Sequence, residues 1–542
     1  MNADMPKRYQ ILVLLAAVFS IVSLPYAQST DPSLPHLVHE NGRYALIVDG
    51  KPFFMLGGQA HNSSGWPVMM PEVWAAIDGM HANTLEIPIY WQQIEPQEGT
   101  FNFSVVDTII GQARKHDVRL VLLWFATWKN SNTDYTPDWL KLDPKKYPHV
   151  VGRNGQVVLS ASPFGKATMD ADARAFTAVM AHLKTFDPQH TVIMMQVENE
   201  AGTYRSVRDY SPAAQKIFQG PVPAELLKPE VLKALHRPAS AKGTWQEVFG
   251  SDADEYFHAW SVASYINDVA AAGKAVYPLP MYVNVSLRDP MMNTPASTYE
   301  SGGATDNVIP IWKVAAPSID LIAPDIYLPK EQAMKVMELY DRPDNVLFVP
   351  ESLSSADYLY EVLRRSGIGF SPFGVDREEL MASGQADAAP YLAPLATQYA
   401  MLRLADGELA KWIFEGRSHV VEVSDKDTQR VDLGIWRATV TYNTGRRWTA
   451  PPAPQPEPAV GGALIAQLGE NEFVVLATQS RVAFEPGGVN KGKPWQFLKV
   501  EEGYFENGSF KFLRLLNGDE VGWGTVSTGA EPALLRITMT AW

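Results

Sequence analysis

The sequence predicts an α/β fold, a parallel (β/α)8 barrel of the TIM type, followed by an all-β, sandwich-like domain. The first sign is size: 542 residues, 46% of them hydrophobic, exceed one ordinary domain and supply material for a large core. The second is rhythm. Eight short apolar runs, at 53–57, 84–89, 119–124, 192–197, 281–285, 321–326, 346–350 and 368–373, alternate with segments mostly long enough for a crossover helix. The third is a change of pattern after the helix-like run 392–404, where hairpin-like alternation takes over at 434–442, 463–477, 508–516 and 534–539.

Taken in order, Lys7 and Arg8 precede an apolar run at 11–24 that is short for a membrane span, so residues 1–27 read as a signal peptide, with an uncleaved anchor as the alternative. Cleavage is expected after Ala27, although Pro25 departs from the usual small residue at that position. A periplasmic or secreted protein, without membrane attachment after cleavage, is the expectation. Asp49-Gly50 turns an entry hairpin that leads into the first barrel strand. The hairpin and barrel are expected over 36–408 and the β domain over 409–542, with an insertion on the barrel rim within 201–280. The tract TAPPAPQPEP at 449–458 reads as a stiff loop.

Composition narrows the partner. Lys plus Arg number 46 against 60 Asp plus Glu, and a formal charge of −14 argues against nucleic acid or an anionic membrane. A neutral substrate fits better, and the 15 Trp and 21 Tyr suit sugar faces as well as core packing. The absence of cysteine excludes disulfides, thiolate metal sites and a cysteine nucleophile. His61 and His81 lack companions at metal-ligand spacing and read as scaffold, and no phosphate-cradling or dinucleotide loop is present, so neither metal nor cofactor is expected. The run GFSPFG at 369–374 lacks the spacing of a serine nucleophile elbow.

Catalytic groups of such a barrel lie past the carboxyl ends of its strands. The fourth run, TVIMMQVENEAG at 191–202, places Glu198, Asn199 and Glu200 at its exit, and the seventh, NVLFVPESLSS at 345–355, places Glu351 at its own. One carboxylate at a strand exit is as readily an ion pair or a helix cap. Two across a barrel mouth suit cleavage of an acetal, in which one attacks carbon and the other protonates the leaving oxygen from about 5 Å away. Strand alternation puts Glu198 on the same side as Glu200, and spacing alone does not choose between them.

Gln-Val-Glu-Asn-Glu at 196–200, with Glu351 on a later strand, resembles the retaining (β/α)8 glycosidases, most closely the β-galactosidases of glycoside hydrolase family 35. The resemblance covers roughly residues 40–420. It implies Glu200 as acid/base, Glu351 as nucleophile and Asn199 as the partner of the sugar 2-hydroxyl. It also implies Tyr90 as a galactose contact and Tyr327, after Pro324-Asp325-Ile326, as the tyrosine that positions the nucleophile. Trp91, Trp128 and Trp312 are open between sugar platforms and packing, with Trp128 and Trp312 carried as candidate substrate contacts. Phe125-Ala126-Thr127-Trp128 departs from the family's Cys-Ala-Glu-Trp, so a sugar-binding glutamate is missing at Thr127, and Gln92-Gln93-Ile94-Glu95-Pro96 replaces another family motif. These departures, with 299–313 and the β domain, resemble a divergent bacterial branch associated with removing galactose from xyloglucan side chains. The resemblance therefore implies an exo-β-galactosidase acting on galactosylated plant oligosaccharides. A retaining β-glucosidase, β-mannosidase or arabinosidase is the alternative, and a non-catalytic carbohydrate-binding protein the alternative from another class. The sequence leaves the oligomeric state open.

Overall fold

The structure, a computed structural model, describes residues 32–377, 391–424, 427–443 and 460–542. The expected signal peptide and the proline-rich tract lie outside the described residues.

Strands β1 (His36–Glu40), β2 (Arg43–Val48) and β3 (Lys51–Phe53) form an antiparallel meander. Asp49 and Gly50 turn it with φ of 51° and 73°, the doubly left-handed turn that matches the twist of paired strands. Leu46 and Val48 join the cluster formed by the barrel-interior residues Met55, Val121, Leu123 and Phe348, so the meander closes the barrel's lower end.

The barrel strands are β4 (Met55–Gln59), β5 (Thr84–Tyr90), β6 (Arg119–Lys129), β9 (Val192–Asn199), β10 (Met281–Val285), β11 (Leu321–Ile326), β12 (Glu351–Ser352) and β13 (Gly369–Phe370). They neighbour one another in the order β13-β4-β5-β6-β9-β10-β11-β12, all parallel, and a Val349 to Phe370 bridge joins the ends. This is an eight-stranded barrel with helices on its outside, as the alternation of apolar runs predicts. β7 (His149–Val151) and β8 (Val157–Ala161) make an extra hairpin between β6 and β9.

The seventh run differs in detail from the expectation. Residues 346–349 are buried in the barrel wall but bond toward β13, through Ile368 N to Leu347 O at 3.0 Å and Val349 N to Gly369 O at 3.2 Å. The ladder to β11 forms only at Glu351 and Ser352. The expected insertion after β9 contains the short helices Pro212–Phe218, Pro229–Ala234 and Trp245–Phe249, then the helix Ala253–Val276, which packs on Lys166–Phe186.

Past the helices Ala393–Arg403 and Leu409–Phe414 the described residues form β-strands, with three short 3-10 turns between them. One sheet has six strands, in the order β14 (Ser418–Ser424), β17 (Val460–Gly469), β18 (Glu472–Thr478), β23 (Ala533–Ala541), β20 (Trp495–Glu506) and β21 (Ser509–Leu515). The other has four: β15 (Thr428–Asp432), β16 (Trp436–Tyr442), β19 (Ser480–Pro486) and β22 (Thr525–Ser527). The two-residue period of a strand explains why β18 is apolar from Phe473 to Ala477. Val474 and Leu476 extend the barrel's core, while Phe473, Val475 and Ala477 face the second sheet. Among the described residues no helix is long and apolar enough to cross a membrane.

Candidate active site

β9 delivers the sequence QVENE to the barrel mouth, and its backbone departs from strand geometry there. Glu198 and Glu200 have φ of 62° and 43°, a conformation that costs a non-glycine residue and that clusters at functional sites. These two left-handed residues cancel the alternation that would put both carboxylates on one side. Glu198 turns away from the mouth: its Oε2 accepts from Trp128 N at 2.7 Å, and it lies beside Asp172 of the outer helix Lys166–Phe186. Burial first, then the negative charge of Asp172, raises the Glu198 pKa well above the carboxylate range. Asp172 in turn accepts from Trp124 Nε1 at 2.9 Å and Thr127 Oγ1 at 2.5 Å.

Glu200 turns the other way. Its backbone N donates to Asn284 Oδ1 at 2.9 Å, and Asn284 Nδ2 donates to Asp325 Oδ2 at 2.7 Å, so β10 and β11 hold the residue at the mouth. One carboxylate oxygen from each of Glu200, Asp325 and Glu351 lies within 4.8 Å of the others. The ladder explains the meeting, because Asp325 and Glu351 are register partners on β11 and β12. Tyr327, two residues beyond Asp325, donates its hydroxyl to Glu351 Oε1 at 2.8 Å.

The electrostatics divide the pair. Burial, and then the charge of Glu351, pushes the Glu200 pKa up to about 7, with Lys129 pulling against the rise. Asp325 is raised well above its usual range by burial and by both neighbours. Below the pair, Glu86 accepts from Tyr282 Oη at 2.8 Å and is raised to about 8, mainly by burial. A carboxylic acid that keeps its proton near neutrality therefore stands opposite one held by a phenol donor. That is the equipment for proton donation to a leaving group and attack at carbon. The three carboxylates also make an oxygen-donor set that a hard divalent cation accepts, though the Glu200 proton competes with such an ion.

Several residues of the mouth carried no sequence signal. Lys129, 7% exposed at the end of β6, brings a positive charge to Glu200, Asp325 and Glu300. Glu300, buried in the loop before the helix Ile309–Ala315, feels the charge of Glu200, and its Oε2 is buried without a protein partner. Asn284 and Glu86 complete the polar lining. Loop and strand residues hundreds of positions apart meet only in the closed barrel. Asp325 alone had a usable clue, its place at a strand exit two residues before Tyr327.

The expected substrate contacts fare differently. Asn199 is fully buried at the end of β9, and neither its Oδ1 nor its Nδ2 has a protein hydrogen-bond partner. Tyr327 is half-exposed at the mouth. Tyr90 is corrected from a sugar contact to a scaffold residue: it is buried, and its hydroxyl accepts from Gly65 N and donates to Asn62 O, each at 2.9 Å. Trp128 and Trp312 are corrected from platforms to packing, at 0% and 1% exposure. Their indole N–H groups are spent on Ser160 Oγ and Gly302 O. Trp66, which the sequence did not single out, is 42% exposed on the loop after β4, packed 5.9 Å from Tyr90. Thr127 is fully buried and bonded to Asp172 and Tyr265, so it faces the layer behind β6.

Comparison with known proteins adds to this geometry. Residues 69–264 match the family Glyco_hydro_42, described as beta-galactosidase, and residues 395–527 match a domain of unknown function, DUF5597. The chain is 25% identical over 200 residues to a beta-galactosidase of Xanthomonas manihotis, covering 35% of this chain and 30% of that protein. It is 35% identical over 60 residues to beta-galactosidase 11 of Arabidopsis thaliana, covering 11% of this chain and 7% of that protein. The chain thus spans less than a third of the length of these relatives. Among solved structures, a beta-galactosidase from Bacillus circulans sp. alkalophilus aligns with TM-score 0.44 and 15% identity over 66% of this chain and 56% of that one. The catalytic domain of beta-amylase from Paenibacillus polymyxa aligns with TM-score 0.46 and 12% identity over 64% and 96%. The family matched is Glyco_hydro_42, whereas the strand-exit motifs resemble family 35. The barrel's residues 69–264 are therefore similar to a glycoside hydrolase family model described as beta-galactosidase.

Proposed function

We propose that the protein is a retaining exo-β-galactosidase that removes terminal galactose from plant oligosaccharides, with galactosylated xyloglucan fragments as its substrate class. The observation that carries the reading is the approach of Glu200 and Glu351, whose carboxylate oxygens lie within 4.8 Å. Retaining glycosidases hold their carboxyl groups about 5–5.5 Å apart, and inverting ones about 6.5–9.5 Å, to leave room for water. In the first step a Glu351 oxygen bonds to the anomeric carbon while Glu200 gives its proton to the departing glycosidic oxygen, and the carbon–oxygen bond breaks. In the second, water attacks the galactosyl ester, Glu200 takes a proton from it, and the Glu351 carboxylate leaves. Tyr327 holds Glu351 in line, and Asn199 is placed to bond the sugar 2-hydroxyl.

On this reading the chain sits with family 35, in the branch that its strand-exit motifs resemble, and is exported to the periplasm or beyond by residues 1–27. The partner is a neutral oligosaccharide. Thr127 neither supplies a sugar contact nor withholds one, since it points behind β6, so galactose preference rests on Asn199 and the polar lining of the mouth.

The test is Glu351→Gln together with product stereochemistry. The variant is expected to fold and to lose at least ~10³-fold in kcat, about 4 kcal/mol of barrier. Proton NMR of the first product should show the β-anomer. Turnover above a few per cent, or an α-anomer, would overturn the nucleophile assignment, and a panel of aryl glycosides in which galactoside is not the best substrate would overturn the sugar.

A further inference from the structure

A cleft of about 580 Å³ opens beside Glu200, between the residues that follow β6 and the β7–β8 hairpin. It adjoins the strand exit that carries the acid, to which its lining residues are bonded through the backbone: Ser131 N donates to Glu200 O at 3.3 Å, and Asn130 N to Asn199 O at 3.2 Å. Tyr204 belongs to both spaces, lining the cleft while its phenol lies within electrostatic reach of Glu200 and Glu300. The leaving group must lie on the acid's side, since Glu200 protonates the departing oxygen.

The walls have the chemistry of a sugar chain's complement. Val157 and Leu159 occupy alternate positions of β8 and so present one face, and they stand 67% and 66% exposed, unusual for apolar side chains of a paired strand. Tyr204, 43% exposed, extends that apolar strip. Amide side chains of Asn132 and Gln156 line the same space, and the lining includes a single charged residue, Arg205. Carbohydrate rings offer apolar C–H faces and hydroxyl edges without charge, and stack on such strips while amides take the hydroxyls. A nucleotide or an acidic peptide would call for more than one cation.

We propose that this cleft is the leaving-group subsite and that it holds the neutral oligosaccharide from which the terminal sugar is cut. The proposal rests on the β-galactosidase reading and adds a residue set that sets the length of substrate preferred. Its volume falls inside the ~300–1,000 Å³ range of ligand pockets and exceeds the needs of a nitrophenyl group.

The experiment compares two substrates, nitrophenyl β-galactoside and a galactosylated xyloglucan oligosaccharide, on the wild type, on Val157→Ala/Leu159→Ala, and on Leu159→Trp, which fills the cleft from an exposed position. The oligosaccharide should lose about tenfold or more in kcat/KM, chiefly through KM, while the aryl substrate stays within about twofold. Parallel changes on both substrates, or none on either, would overturn the subsite. A wild type that cleaves neither substrate fails in a different way: it overturns the galactosidase reading itself, and the subsite with it.

Discussion

Glu198 and Glu200 are two residues apart on one strand exit, the first buried and the second partly exposed, both raised in pKa, and they do opposite things. Glu198 lies against Asp172 with Trp128 N on its carboxylate, sealed between β6 and the outer helix. Glu200 lies against Glu351 and Asp325 at the open end of the barrel, fixed through its backbone by Asn284. Both pKa values rise mainly through burial, so a raised pKa does not by itself separate structure from chemistry here. The separation comes from what each faces: Glu198 meets groups already bonded among themselves, whereas Glu200 meets the carboxyl groups of Glu351 and Asp325. A perturbed acid is a candidate for catalysis only where a reacting atom can reach it.

The sharpest way to break that contrast is Glu200→Gln, from which we expect the larger loss. General acid/base catalysis is worth roughly 10²–10⁴-fold, and the loss should be heaviest with unactivated sugar leaving groups and lighter with nitrophenyl ones. The pH profile carries the sign. Glu200 must be protonated to act first, so with a pKa of about 7 the wild-type kcat/KM should fall as pH rises through neutrality, approaching tenfold per unit above it. Glu200→Gln should lose that alkaline limb. A limb that survives in the variant assigns the titration to another group of the mouth.

Much of this was legible beforehand, and the remainder is instructive about why. The barrel strands at 281–285 and 321–326 coincide with those observed, because a strand covered on both faces is a near-continuous apolar run that sequence displays directly. The all-β character of the C-terminal region was visible too, yet β14, β15, β19, β20 and β22 had no distinct signature, being short or mixed in polarity. The exits bearing Glu200 and Glu351 were legible from strand position. The choice between Glu198 and Glu200 was not, since alternation assumes extended backbone and both residues are left-handed. Tyr90, Trp128 and Trp312 misled for a related reason: aromatic residues near an exit serve core and ligand alike, and only exposure separates them. Lys129 and Glu300 were silent because a lone lysine or glutamate announces nothing until the barrel closes around it.

Tyr327→Phe tests how far the phenol, rather than the carboxylate alone, makes Glu351 competent. It removes the 2.8 Å donor and leaves the ring in place. A hydrogen bond to a charged group contributes about 1.5–3 kcal/mol, so kcat should fall roughly 10–100-fold, with the galactosyl-enzyme forming more slowly. An unchanged rate of formation in a single-turnover measurement would show that Asp325 and the strand geometry suffice.

Glu198→Gln should do least, and for that reason sharpens the comparison most. Burial, and then the charge of Asp172, raises the Glu198 pKa and so favours the neutral carboxyl, and glutamine is neutral at every pH while keeping a carbonyl to accept from Trp128 N. Its amide N–H can face the Asp172 carboxylate as the acid proton did. No charge is created and no volume is removed, so the change in unfolding free energy should stay within about 1 kcal/mol and kcat within about threefold. Urea titration and the galactoside assay read the two quantities separately. Loss of turnover comparable to that of Glu200→Gln, in a protein that stays folded, would mean that the carboxyl behind β6 takes part in the chemistry, and the assignment of acid to Glu200 by its facing alone would fall.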